Sequence, residues 1–131
     1  MDGIVEKNDA LHYGINTGFG SLCDVAISKD EIADLQLNLI MSHACGVGEE
    51  VPQDIIRIML LLKIQSLSYG FSGISIDVIN LLLAFYNKKI YPVIFQLGSL
   101  GASGDLAPLA HLSLPLVGLG EVWYKGNKVP S

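Results

Sequence analysis

Residues 98–111 read Gly98-Ser99-Leu100-Gly101-Ala102-Ser103-Gly104-Asp105-Leu106-Ala107-Pro108-Leu109-Ala110-His111. Glycines spaced by three leave the backbone free to take turns that a β-carbon forbids. Ala102, Ser103 and Gly104 are small enough for their peptide groups to approach one another closely. Gly104 offers the least hindered nitrogen, and Ser103 a β-hydroxyl that can be lost as water. Asp105 reads as a helix N-cap with Pro108 in the first turn. A small-residue loop entering a helix N-terminus is a good place to stabilise negative charge. The spacing is neither a phosphate loop nor a dinucleotide fingerprint, and local physics alone gives a tight turn into a buried helix.

A second stretch, His12-Tyr13-Gly14-Ile15-Asn16-Thr17-Gly18-Phe19-Gly20, holds three glycines and an Asn-Thr pair that oppose a stable helix. It reads as a loop lying close against something, with Tyr13 at its base. A tyrosine, with an ordinary pKa of about 10, needs positive potential nearby before it can act as a base.

The elements that must position these residues are mainly helical. Ser28-Lys29-Asp30-Glu31 has capping-box spacing, and Ile32, Leu35 and Leu39 recur at helical intervals up to an end near Cys45-Gly46. Ser42-His43 falls near that end, where a histidine ordinarily caps or packs. Residues 52–69 form the next helix, opened by Pro52 and Asp54, stopped by Gly70, and apolar almost all round, as in a helix buried on most sides. A third spans 75–86 with Ile76, Ile79, Leu82, Leu83 and Tyr86 as its apolar face, ended by Asn87-Lys88-Lys89. Residues 91–95 are extended ahead of the small-residue loop, since the residue before Pro92 is biased away from helix. The fourth helix runs from about Asp105 to Val117, kinked by Pro115, with His111 as a packed or capping residue. Glu121-Val122-Trp123-Tyr124, a Gly126-Asn127 turn and Lys128-Val129 give a short hairpin that leans on the core.

The chain of 131 residues is long enough for one domain with a real core. Half of it is apolar and only 16% is charged, which implies large buried area, some of it against other polypeptide. A net charge of −5 argues against a nucleic-acid or anionic-membrane surface. The apolar run 55–64 contains Arg57 and Lys63 and is too short to span a bilayer. The start of the chain, mixed and charged, does not read as a secretory signal. Cys23 and Cys45 make neither a close metal pair nor a disulfide framework, so no metal is expected and a reducing, cytoplasmic setting fits.

Three strings in this order, at 13–20, 39–48 and 98–111, resemble the histidine and aromatic amino-acid ammonia-lyases. The first matches that family's Tyr-Gly-Ile-Asn-Thr-Gly-Phe-Gly loop residue for residue. The resemblance implies that the Gly104 nitrogen attacks the Ala102 carbonyl carbon and that Ser103 dehydrates to an exocyclic methylene. The resulting methylidene-imidazolone, formed from Ala102-Ser103-Gly104 without an external cofactor, would be attacked by the substrate's amine or by its ring. Tyr13 would take the substrate's β-proton, with Gly20 and Asp105 in support. Ser42 and His43 stand where phenylalanine-specific relatives carry Phe-Leu and tyrosine-specific ones His-Leu, which implies the histidine-specific branch, with L-histidine as substrate and trans-urocanate and ammonia as products. The implied fold is the N-terminal helical portion of the ammonia-lyase/fumarase-like fold. Residues 1–131 would be part of the electrophile-bearing domain of a longer, homotetrameric lyase. The same chemistry on tyrosine or phenylalanine, an aminomutase, and an inactive assembly module are the rival readings.

Overall fold

The computed structural model describes residues 11–99 and 106–131. The chain divides into two compact units, Met1–Leu39 and Ile40–Ser131. In order, the regular elements are α1 (Ile32–His43), β1 (Val47–Glu50), α2 (Gln53–Ser68), α3 (Ile76–Lys88), β2 (Tyr91–Pro92), β3 (Phe95–Leu97), α4 (Leu106–Ser113), β4 (Glu121–Tyr124) and β5 (Asn127–Pro130). The fold is mainly α, as the helical periodicity predicts, with two small antiparallel sheets.

In the first unit the Tyr13 stretch is a loop. Thr17 bridges Ala26, and the Gly18 and Ile27 amides donate to the Val25 and Asn16 carbonyls. The capping box is not formed as the spacing suggests. Ser28 Oγ donates to the Glu31 carboxylate at 2.6 Å rather than accepting from a backbone amide, and residues Lys29–Glu31 wind as a 3₁₀ turn before α1 begins.

The second unit is built on α2 and α3. Ile56, Leu60, Ile64 and Leu67 recur at helical spacing along one stripe of α2. They pack with Leu82 and Phe85 of α3, Ile94 and Leu112 in a single core. The core is narrower than the apolar run of α2 implies. Ile55, Ile58, Leu61 and Leu62 are exposed, so α2 is buried on one side only within this chain. The buried face of α3 is also shifted from the expected one. Leu82 and Phe85 are buried, whereas Ile76 and Leu83 face solvent. Lys89 ends α3 in the left-handed conformation, its amide donating to the Phe85 and Tyr86 carbonyls.

β1, which nothing in the sequence indicates, pairs with β3. The predicted hairpin is present as β4–β5, but Tyr124 pairs with Asn127, so the turn is Lys125-Gly126. Both turn residues have positive φ, 51° and 80°, the geometry a two-residue hairpin loop needs. β2 adds to the free edge of β4. Pro115 ends α4 by starting a 3₁₀ turn, Leu114–Val117, rather than kinking one continuous helix.

One carboxylate joins the two sheets. Glu50 of β1 accepts from Trp123 Nε1 of β4 at 2.8 Å and is paired with Lys128 of β5, whose ammonium also lies 5.3 Å from the Trp123 ring centre. The hydrogen bonds from Lys128 and then Trp123 hold the Glu50 carboxyl below the usual carboxylate range. A depressed folded-state value contributes stability that is present above the ordinary carboxylate pKa and lost as pH falls through the folded one. Unfolding followed by the fluorescence of Trp123 should therefore show Glu50→Gln less stable by on the order of 1 kcal/mol at neutral pH. The difference from wild type should vanish in strong acid, and a constant difference down to that pH would contradict this role.

Candidate active site

Tyr13 lies in a loop closed on itself. The Ile15 and Asn16 amides donate to the His12 carbonyl, and the Asn16 side chain accepts from the His12 amide at 2.7 Å. The Tyr13 ring packs edge-on against Phe19, with centroids 5.7 Å apart, and its hydroxyl oxygen accepts from the Gly20 amide at 3.4 Å. Gly20 thus touches the phenol oxygen itself. Tyr13 is 64% exposed, so the loop presents the phenol instead of burying it. Behind it Thr17 is buried and donates to the Gly18 carbonyl at 2.8 Å. A β-carbon on Gly18 would stand 2.6 Å from that of Leu22, which explains a glycine there without any catalytic role.

Ser42 and His43 end α1, and Ser42 Oγ lies 3.1 Å from His43 Nδ1. A hydroxyl beside one ring nitrogen orients the imidazole, the arrangement a hydrogen-bonding histidine requires. Ala102, Ser103, Gly104 and Asp105 lie outside the described residues, but both ends of their loop are described. Ser99 Oγ accepts from the Ala107 amide at 3.0 Å, so the residue before the loop caps the helix after it. Gly98 has φ of 146°, and a β-carbon there would stand 2.8 Å from Gly46 Cα and 3.3 Å from Ala107 Cβ. The loop is therefore pinched at its base between the turn after α1 and the start of α4.

Gly46, Phe95 and His111 of this base carry no sequence signal for meeting one another. The Gly46 amide donates to His111 Nε2 at 2.9 Å across 65 positions, and Phe95 packs edge-on against the same ring at 5.3 Å. His111 is buried, and desolvation lowers its pKa, which keeps the ring neutral and able to accept. Among the described residues no group of histidine, cysteine and carboxylate side chains could hold a metal ion. No described helix is long and apolar enough to cross a membrane. Cys23 and Cys45 are both free thiols.

With this geometry in view, the family model for aromatic amino acid lyases matches residues 1–131. The chain is 55% identical to the histidine ammonia-lyase of Bacillus velezensis over 131 residues, all of this chain and 25% of that protein. It is 56% identical over 117 residues to that of Legionella pneumophila, covering 89% of this chain and 23% of the relative. Among solved structures, histidine ammonia-lyase from Trypanosoma cruzi superposes with a TM-score of 0.81 at 38% identity, over 96% of this chain and 24% of that one. The phenylalanine aminomutase of Pantoea agglomerans superposes with 0.87 at 32% identity, over 98% and 24%. The chain belongs to the aromatic amino acid lyase family. It spans about a quarter of the length of the curated relatives it matches.

The pinch at Gly98 can be tested against another glycine of positive φ that has open surroundings. Gly70 has φ of 77° and nothing within 4 Å of its missing β-carbon. Gly70→Ala should cost about 1 kcal/mol from the left-handed backbone alone. Gly98→Ala should cost at least about 2 kcal/mol, because the contact with Gly46 adds to the strain. Urea unfolding of both variants measures the difference, and equal losses would remove the close approach from the account.

Proposed function

We propose that this chain is the electrophile-bearing part of a longer histidine ammonia-lyase, which removes ammonia from L-histidine to give trans-urocanate. The observation that carries the reading is 55% identity to a histidine ammonia-lyase along the whole of this chain. Ser42 and His43 support it, since a polar pair suits an imidazole substrate better than a benzene ring. Likeness to an aminomutase fold favours the rival less, because the superposition reaches that relative at only 32% identity. A cytoplasmic homotetramer that completes its sites with loops from neighbouring subunits goes with this reading. So does inactivity of residues 1–131 alone, given the exposed apolar positions of α2 and the 94% exposed Phe71.

Residues 102–104 fit a methylidene-imidazolone. The loop is anchored at both ends, by Gly98 against Gly46 and by Ser99 on the Ala107 amide, while its centre consists of the smallest side chains. Cyclisation joins the Gly104 nitrogen to the Ala102 carbonyl carbon and expels two waters, one with the carbonyl oxygen and one with the Ser103 hydroxyl. The finished group supplies an electrophile that makes the substrate's amine a better leaving group or its β-proton more acidic. Tyr13 takes the β-proton, the C–H pair becomes the second bond between the α- and β-carbons, and the amine departs with the C–N pair. The N-terminus of α4 favours negative charge gathering on the loop before it. His43, its Nδ1 beside Ser42 Oγ, hydrogen-bonds the substrate's imidazole and sets its orientation.

The test is kcat/KM of the full-length protein for L-histidine, L-phenylalanine and L-tyrosine. Histidine should be preferred, and Ser103→Ala should fold yet lose at least about a thousandfold in turnover, since alanine cannot form the methylene. His43→Leu should lose about 10- to 100-fold on histidine while the electrophile still forms. Near-normal turnover by Ser103→Ala would refute the self-made electrophile. Equal or better use of tyrosine by the wild type would move the assignment to the tyrosine branch.

A further inference from the structure

The turn that follows Ser42 and His43 and the helix that follows the small-residue loop are joined by one buried ring. His111 sits in the second turn of α4, five residues after Leu106 opens it. Its Nε2 accepts from the Gly46 amide at 2.9 Å, three residues beyond the end of α1. A backbone amide only donates, so Nε2 must present a lone pair and the proton of the neutral ring sits on Nδ1. The same turn touches the base of the loop on its other side. Gly46 Cα would be 2.8 Å from a β-carbon on Gly98, and Cys45 Sγ lies 4.0 Å from the Gly98 carbonyl oxygen. Phe95 of β3, 5.3 Å away at 74°, packs edge-on against the ring.

We propose that His111 is a positioning residue of the active site: by holding the Gly46 amide it sets the Ser42-His43 end of α1 against the two ends of the small-residue loop, Gly98 and the start of α4. The end of α1 that bears the recognition residues and the helix that follows the small-residue loop are thereby linked by a hydrogen bond within a single protomer. A packing histidine would need its volume only, and an aromatic ring of similar size would replace it. The alignment needs an acceptor at the place Nε2 occupies. This inference rests on the lyase reading for its effect on turnover, but the tether itself is a property of the fold.

The experiment uses the full-length protein and compares His111→Phe, which keeps a ring without an acceptor, with His111→Gln, whose side-chain carbonyl reaches the same place. Three quantities are read: hydrogen exchange of the peptide containing Gly46, intact mass as a measure of electrophile formation, and KM and kcat for L-histidine. In His111→Phe, exchange should quicken and KM should rise, each by about tenfold, with the electrophile still formed. His111→Gln should restore both to within about threefold of wild type. A wild-type KM in His111→Phe, or equal impairment of the two variants, would overturn the proposal. Should His111→Phe fail to fold, Gly46→Ala takes its place, because its β-carbon would stand 2.8 Å from Nε2 and push the turn off the ring. The same rise in KM is expected there, and an unchanged KM refutes the role. A wild type that turns over no histidine would refute the lyase reading instead. Exchange at Gly46 would then decide the tether alone, with no change in His111→Phe overturning it.

Discussion

At Gly98 the backbone passes so close to the turn after α1 that a β-carbon there would stand 2.8 Å from Gly46 Cα, while one on Gly46 would stand 2.8 Å from His111 Nε2. This crossing fixes the root of the small-residue loop from outside the loop. Ser99 closes it from within by capping the helix that follows, and His111 fastens the crossing turn to that helix. On the proposed chemistry the loop brings a backbone nitrogen onto a carbonyl two residues away, and it cannot depend on its own side chains for shape, because those side chains have to be small. Its geometry has to come from its ends.

The ends are rigid because of what lies behind them. Ile94, between β2 and β3, and Leu112, at the end of α4, are both wholly within the core that α2 and α3 build. The Val51 and Val93 amides donate to the Ile94 and Glu121 carbonyls, at 2.8 and 2.9 Å, and tie that segment to both small sheets. Each fully buried leucine or isoleucine contributes about 1.5–3 kcal/mol of transfer free energy, so the scaffold is held by apolar burial and tuned by a few polar contacts such as the Glu50 cluster.

Much of the fold was readable in the residue order. Ile56, Leu60, Ile64 and Leu67 mark a helix through their spacing, and Pro52 and Gly70 mark its limits. Periodicity marks an apolar face but not what covers it, which is why Ile55 and Leu62 read as core and are exposed here. β1 escaped because Val47-Gly48-Glu49-Glu50 has poor strand propensity and owes its form to pairing with β3. The hairpin turn slipped by one residue because Lys125, not Asn127, adopts the left-handed conformation. Among the candidate residues, Tyr13, Ser42, His43 and residues 102–104 stand out through whole strings that match a family, since no single one of them is unusual. The tether from His111 to Gly46 left no pattern, because a lone histidine gives no sign of a partner 65 positions away.

On the proposed reading, this chain makes its own electrophile from three adjacent residues. The most direct measurement is the mass of the peptide spanning residues 98–111, cut from the full-length protein. It should be lighter than its sequence by two water molecules, and the deficit should be absent in Ser103→Ala. A wild-type peptide at its full sequence mass, recovered from protein that turns over L-histidine, would contradict the claim.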